Sequence, residues 1–506
     1  MTVSKTLSDN SNHRTHSVRL NVHTWSNHPE VNSLVTDIWD ALGEDRQSNL
    51  TSRSNKKGTP PKRILKVLLV HLYATWLDDP TLWTGMSRNN NDYAPTSLYN
   101  ALNIPIKIVR ITDHLVELGY LDFVQGSNDK TFDGWFSFSS RIKPTELLVT
   151  HFLKCTATAF DISRHEKETP LVLTDFDVDK EGNLKKRGGK KLRKVKEYEQ
   201  TPETQRMVQG LKLYNQLLTR TYVDIATLDE PYVVRQTKKG PQRLAINQNN
   251  KFVKRIFSRG EWHFNGRFYG GFWQQVGEDY RKYILIDDKP TVEIDYKGIH
   301  PTILSINKGE TFNGYDIKAP LLDKEISTEL IKATKLLVLT AINAESKAKA
   351  FKAFRSNYSI KFKDRELEAL LQQFLKLNPH LEEDLCTDKG ISLMHTDGRI
   401  AEYVINRFTE QQIPVLTVHD SFIVQTDQQK NLKQYMEEAT LNVLGTRIEF
   451  EQDYVSLNAK EEDKLNVIKV KNPSSFMGDK EEVEISQRYF NTYRKFKLWK
   501  ESNNLA

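Results

Sequence analysis

Residues 416–424 read LTVHDSFIV, an alternating apolar run broken at its centre by His419 and Asp420. Alternation with a period of two predicts a strand buried on at least one face, where a carboxylate is costly unless it is paired or delivered to a ligand. The segment is therefore expected to form a hairpin that carries Asp420 at its turn. Residues 291–295 repeat the pattern: Val292 and Ile294 fall on one face, Glu293 and Asp295 on the other, and Pro301 ends any regular continuation. Asp295 and Asp420 thus stand near the ends of two short apolar strands, the arrangement needed when a sheet brings two carboxylates together.

Two neighbouring carboxylates repel each other unless a cation lies between them, and hard divalent Mg²⁺ is the natural choice. A pair of such ions about 3.5–4 Å apart activates an attacking hydroxyl and stabilises a leaving pyrophosphate. Between the two aspartates, residues 330–347 (LIKATKLLVLTAINAESK) predict a helix with Lys332, Lys335, Leu339, Ile342 and Asn343 along one side. Two lysines above an apolar ledge suit a triphosphate with a base alongside, although an ordinary amphipathic surface helix has the same pattern. Residues 260–276 (GEWHFNGRFYGGFWQQV) add glycines for close backbone approach, Arg267 as a fork of donors, and the stacking faces of Trp262, Phe264, Phe268 and Tyr269. An aromatic core hairpin is the plainer alternative there. A helical His-Asp phosphohydrolase pair is the rival for His419 and Asp420, and the strand-like flanks argue against it.

Lys plus Arg exceed Asp plus Glu by 73 − 66 = +7, which suggests an anionic partner. The excess is unevenly spread: residues 185–196 hold eight Lys or Arg in twelve positions, among them Lys190, Lys191 and Arg193, with no acid. The turn KEGN precedes this run, so a basic hairpin able to neutralise phosphates is expected. Asp175, Asp177 and Asp179 alternate just before it, weak support for a metal-bound exonuclease site. The two cysteines, Cys155 and Cys386, have no metal or disulfide spacing, which fits a reducing cytoplasm. With no apolar run near ~18 residues and no signal-peptide plan, a cytoplasmic protein without a membrane partner is expected.

Residues 1–28 are polar and read as a flexible arm, followed by a short helix over 31–42 and a linker over 49–63 (NLTSRSNKKGTPPKR), with Pro60 and Pro61 placed to begin the next helix. Helices are then predicted over 63–76, 95–102 and 105–118, the last stopping at Gly119. YLDFVQG and GWFSFSS, joined by SNDKTFD, read as a β-hairpin. Three helices and a hairpin follow the order of a winged helix-turn-helix. Lys107, Arg110 and Thr112 would lie on the DNA-facing helix, and residues 127–133 would form the wing. Residues 201–225 are expected to be helical. The C-terminal QRYFNTYRKFKLWKES interleaves basic and aromatic residues, as in a nucleic-acid contact or a surface helix docked on the body.

Taken in order, residues 255–455 resemble the palm and fingers of family A DNA polymerases and the related single-subunit phage-type RNA polymerases. VEIDYKGIHPTIL looks like motif A, TKLLVLTAINAESK like the motif B helix, VHDSFIV like motif C, and HFNGRFY is similar to the Gly-Arg element that precedes motif A. The resemblance implies Asp295 and Asp420 as metal ligands, Lys335 as the triphosphate-binding lysine, and Arg267 and His419 at the nucleic acid. Tyr296 matches the motif A tyrosine. The helix LMHTDGRIAEYVINRF implies His395, Asp397 and Arg399 as further contacts to primer-template. Three positions depart from the pattern. Ile331 replaces the motif B arginine, with Lys332 beside it; Asn343 replaces a tyrosine; and His300 replaces the glutamate that packs on the sugar. The last two leave the choice between deoxyribonucleotides and ribonucleotides open.

The expected fold is α+β, a right-hand polymerase palm and fingers with an N-terminal winged helix-turn-helix domain. Its expected divisions are an arm (1–55), a winged-helix unit (56–155), a linker or thumb-like region with the basic hairpin (156–250), palm and fingers (251–460) and a charged tail (461–506). The expected function is template-dependent nucleotidyl transfer by a DNA polymerase of a plasmid, phage or other mobile element, including self-priming. Two Mg²⁺ ions, with Mn²⁺ as substitute, are the expected cofactors. Primer-template DNA and nucleoside triphosphates are the expected partners, with an accessory replication protein as a further one. The alternatives are an RNA polymerase or primase of the same fold and a non-catalytic DNA-binding replication initiator or regulator.

Overall fold

The computed structural model describes residues 16–52, 58–131, 134–179, 181–187, 190–237, 240–315, 328–358, 362–455 and 485–505. The chain mixes helices with several separate, mainly antiparallel sheets. Its buried apolar side chains form two large clusters, one drawn from residues 31–162 and one from residues 171–448.

The first cluster is built on the helix Pro61–Asp78, which starts on Pro61 and buries residues around most of its circumference, including Ile64, Leu68, Leu72 and Tyr73. The helix Pro29–Ala41 packs Val31, Leu34, Val35 and Ile38 into the same core, so the segment read as part of the arm belongs to this unit. A four-stranded sheet runs in the order Ser17–Arg19, Trp83–Met86, Ser140–Pro144, Leu121–Val124, with the first pair parallel. Residues 16–28 are thus structured, contrary to the arm expected from their polarity. His23 and Ser26 are buried, and the Trp25 ring lies under Lys66 (4.1 Å) and Arg63 (5.4 Å). These contacts come from distant residues and offset the ordering entropy that local composition leaves uncovered. Residues 1–15 lie outside the described residues.

Other local expectations also change. Residues 95–102 form turns, because Asn100 bonds the Ala94 and Ile104 carbonyls (3.2 and 2.8 Å) and accepts from Ile104 N (2.9 Å), competing with a helix. The helix Lys107–Glu117 does form, and Gly119 (φ 76°) ends it. Leu121–Val124 pairs with Ser140–Pro144, while Ser127–Thr131 is itself a strand paired with Gly134–Phe138. The stretch read as the wing loop is therefore strand up to Thr131, and residues 132–133 lie outside the described residues. The linker expected near residue 50 begins later, since Glu44–Ser52 is helical; residues 53–57 lie outside the described residues.

In the body, Thr201 caps the helix Pro202–Thr219 by accepting from Thr204 N (3.2 Å). This helix stops at Arg220, and Val223–Ile225 is a strand that opens the main sheet. The main sheet follows the order Val223–Ile225, Ile284–Ile286, Lys289–Tyr296, Ser421–Gln425, Leu416–Val418, with Phe450–Val455 on the other edge of Lys289–Tyr296. A second sheet contains Arg193–Val195, Leu171–Phe176, Val253–Ser258 and Glu261–Gly270. The C-terminal helix Gln487–Ser502 docks on the body: Arg488 grips Asp224 with two bonds (2.8 and 2.9 Å), and Tyr489 and Phe496 are buried. Residues 456–484, most of the expected tail, lie outside the described residues.

Candidate functional site

Antiparallel pairing sets Asp295 opposite Ser421, so Asp420, the preceding residue, arrives beside it. Val418 pairs with Ser421, leaving His419 and Asp420 as a two-residue turn with His419 in the left-handed region (φ 61°). The hairpin and its central acid match the sequence expectation. Burial pushes the Asp420 carboxyl above its ordinary value; Arg267 opposes this, Asp397 adds to it and His300 opposes it. Glu293, on the same strand face as Asp295, is buried and held by Arg281 (2.9 Å) and the Ser421 hydroxyl (2.6 Å). The two acids of this strand therefore differ: Glu293 is closed into the fold, whereas Asp295 borders a cavity.

That cavity measures about 230 Å³ and is lined by Arg267, Asp295, Tyr296, Gly298, Ile299, His300, Tyr315, Lys335, Leu339, Asn343, Met394 and Asp420. The helix Thr328–Ile342 delivers Lys335 and Leu339 at a four-residue spacing, and Asn343 follows at its end. Lys335 has no ion-pair partner among the described residues, and Lys332 is exposed and does not line the cavity. Asn343 donates to the Leu339 carbonyl (2.7 Å), and a Cβ on Gly390 would stand 1.8 Å from its Oδ1. Glycine at 390 is what lets the helix Gly390–Glu410 start against Asn343.

Arg267 reaches the cavity through a local irregularity in its strand. The pairing of Val253–Ser258 with Glu261–Gly270 shifts register after Ile256, and Asn265 (φ 64°) and Gly266 (φ 86°) are both left-handed. Such a bulge re-aims the following side chain. The Arg267 guanidinium donates from Nε to both Asp397 oxygens (2.9 Å each) and from Nη2 to Oδ2. Asp397 Oδ2 also meets His300 Nε2 (2.9 Å), which lies 3.1 Å from Arg267 Nη2. The Asp397 side chain is 1% exposed, so an arginine, an aspartate and a histidine share one buried cluster on the cavity wall. Gly398 permits it: a Cβ there would lie 2.4 Å from the Gly266 carbonyl. Met394 lies one helical turn before Asp397 on the same helix and was missed in the sequence, although its i, i+3 spacing signals the shared face.

The remaining expected residues separate from this centre. Tyr296 borders the cavity, but its hydroxyl is committed to the Met436 carbonyl (2.7 Å) and its ring is 2% exposed, making it a packing residue. His419 stacks edge-on against Tyr269 (5.5 Å), and burial, aided by Arg267, lowers it to about 4. Arg399 is exposed on the helix Gly390–Glu410, while burial and then Arg255 lower His395 to about 4. Lys191 and Arg193 are exposed and lie over Phe176 (5.1 and 5.8 Å); Lys190 pairs in strand register with Arg187. Part of the basic run is neutralised internally, since Asp177 takes Lys185 (3.2 Å) and Lys194 (3.4 Å). Lys107 donates to the Leu50 carbonyl (2.7 Å), and Arg110 is half-buried. Thr112 is fully buried and bonds the Ile108 carbonyl (2.9 Å), so it faces the core and offers no external contact.

Among the described residues no three His, Cys, Asp or Glu side chains are gathered as a ready-made metal site. The cavity instead offers two carboxylates with room for ligand oxygens, donor chemistry that fits a hard divalent cation completing its shell from ligand and water. No helix among the described residues is long and apolar enough to cross a membrane. No family model matches the chain, and no curated protein matches it.

Proposed function

We propose that the chain is a template-dependent nucleotidyltransferase with a family A-like palm and fingers, acting as a DNA polymerase in the replication of a plasmid, phage or other mobile element. One observation carries the reading. Arg267, Asp295, His300, Lys335, Asn343 and Asp420, marked in the sequence for this chemistry and spread from position 267 to 420, line a single cavity of about 230 Å³. Asp295 and Asp420 would hold Mg²⁺, which when bound supplies charge stabilisation at the transferring phosphoryl group and eases deprotonation of the attacking hydroxyl. Lys335, a cation without an internal partner among the described residues, neutralises the triphosphate. Arg267 is held rigid by Asp397 and positions the nucleic-acid backbone. His300 stands where the incoming sugar packs in the resembling enzymes.

Outside the cavity, exposed Arg399, Lys191 and Arg193 extend a basic surface along primer-template, and Lys107 and Arg110 mark the N-terminal unit as a duplex-binding module. The test is primer extension by the full chain with Mg²⁺, offering deoxyribonucleotides and ribonucleotides separately, with and without a primer. Wild type should incorporate nucleotides and Asp420→Ala should not. Equal incorporation by the two would refute the enzymatic reading, and the preferred sugar separates the DNA polymerase from the RNA polymerase or primase.

A further inference from the structure

A cavity of about 700 Å³ lies between residues 162–168, the end of the helix Pro202–Thr219, residues 248–252 and the C-terminal Trp499 and Leu505. It shares no lining residue with the cavity of Asp295 and Asp420. Its size falls within the ~300–1,000 Å³ range of small-molecule sites. Five cations line it, Arg164, Lys167, Lys212, Arg220 and Lys251, against two acids, Glu166 and Glu168. Glu168 is already engaged by Arg164 (2.5 Å) and by Lys254 (3.1 Å) from outside the cavity. Lys167, Lys212, Arg220 and Lys251 have no ion-pair partner among the described residues.

Lys251 is the anomaly. It is 3% exposed, and its ammonium, with three N–H groups to satisfy, donates to the Thr221 carbonyl at 2.5 Å and to no other acceptor among the described residues. Burial pushes it down to about 7. The charges of Asp287 and Asp224 oppose that shift, but neither forms an ion pair with Lys251 among the described residues, and a buried ammonium without a paired counter-ion is costly. An acceptor-rich, multiply charged anion complements such a wall, since phosphate oxygens accept from several ammonium and guanidinium donors at once. Phe252, whose ring already lies under the Arg164 guanidinium at 4.8 Å, and Trp499 bring aromatic rings to the lining, which favours an anion carrying an aromatic ring over a bare one.

We propose that this cavity binds a nucleoside polyphosphate, with its phosphates on Lys251, Arg220 and Lys212 and its base against Phe252 and Trp499. The bound ligand would tie the C-terminal helix to the body from a position separate from the Asp295 and Asp420 cavity.

Calorimetric titration of the full chain tests this, in chelator and in a Lys335→Ala background. Those conditions remove the triphosphate binding proposed at the other cavity, so a failure here leaves that reading untouched. Each of the four nucleoside triphosphates is titrated in turn, followed by inorganic tripolyphosphate. At least one nucleotide should bind, with tripolyphosphate about tenfold weaker or worse, and Lys251→Met and the exposed Arg220→Ala should each weaken the nucleotide by about tenfold, ~1.4 kcal/mol. Because Arg220 is exposed, its variant reports even if Lys251→Met fails to fold. The proposal is overturned if no nucleotide binds, if Arg220→Ala binds as tightly as the parent, or if tripolyphosphate binds as tightly as the nucleotide.

Discussion

The core around the helix Pro61–Asp78 and the cavity around Asp295 and Asp420 treat buried polarity in opposite ways. At the first, the buried histidines are kept neutral: burial lowers His71 to about 3 and, despite the opposing charge of Glu168, His23 to about 4. At the second, Arg267, Asp397 and His300 are packed in mutual contact beside Asp420. Burying charge is costly, and the two regions show where the fold tolerates that cost. Around the helix the two histidines are held neutral, whereas on the cavity wall an arginine and an aspartate are buried as a charged pair.

The comparison can be broken most sharply at Arg267. Removing it leaves Asp397 buried without its main counter-charge, so Arg267→Ala should lose about 3–5 kcal/mol in denaturant unfolding. A loss below ~1 kcal/mol would mean that the cluster is not an integral charge pair.

Acid should instead attack the N-terminal core. The folded pKa of His71 is depressed, so its contribution is present above the unfolded value near 6.5 and is lost as pH falls towards about 3. At ~1.4 kcal/mol per pH unit, a few kcal/mol are at stake between pH 6.5 and 4. Thermal unfolding across that window should fall less steeply in His71→Gln than in wild type; identical slopes would show that His71 does not titrate on unfolding.

Glycine substitutions carry the same contrast to the backbone. A Cβ at Gly398 meets the Gly266 carbonyl at 2.4 Å, and Gly398→Ala should cost about 1–3 kcal/mol and displace Arg267. Gly43, with φ 79° and nothing within 4 Å, should cost only the ~1 kcal/mol of its backbone conformation when replaced by Ala. Smallest of all, the exposed pair Arg88–Asp113 (2.7 Å) should contribute about 0–1 kcal/mol, read from unfolding of Arg88→Ala. A large effect there would erase the distinction between exposed and buried ion pairs on which the contrast rests.

The two regions also differ in how legible they were. Arg267, Asp295, Lys335 and Asp420 were readable because each sat on a local signal (an acid ending an alternating strand, a lysine at helical spacing, an arginine among glycines), whereas Met394 and Tyr315 in the same lining were not. What those signals lacked was the cross-chain partner, so the grip of Asp397 on both Arg267 and His300, 130 and 97 positions away, emerges only in three dimensions. The N-terminal unit was misread where distant contacts overrule local composition. Residues 16–28 are polar yet ordered by Lys66, Arg63 and Ser163–Arg164. The partner of Leu121–Val124 turned out to be Ser140–Pro144, beyond the segment that alternation favoured. In residues 95–102, a single asparagine side chain was enough to replace a helix with turns.

The proposal to be tested first is that Asp295 and Asp420 act as one cation-binding pair at the cavity they share. Paramagnetic titration with Mn²⁺, in the presence of a non-hydrolysable nucleoside triphosphate, tests it directly. The full chain should bind about two Mn²⁺ tightly, and Asp295→Ala and Asp420→Ala should each abolish that binding while the protein stays folded. Unchanged Mn²⁺ binding in both variants would contradict the claim.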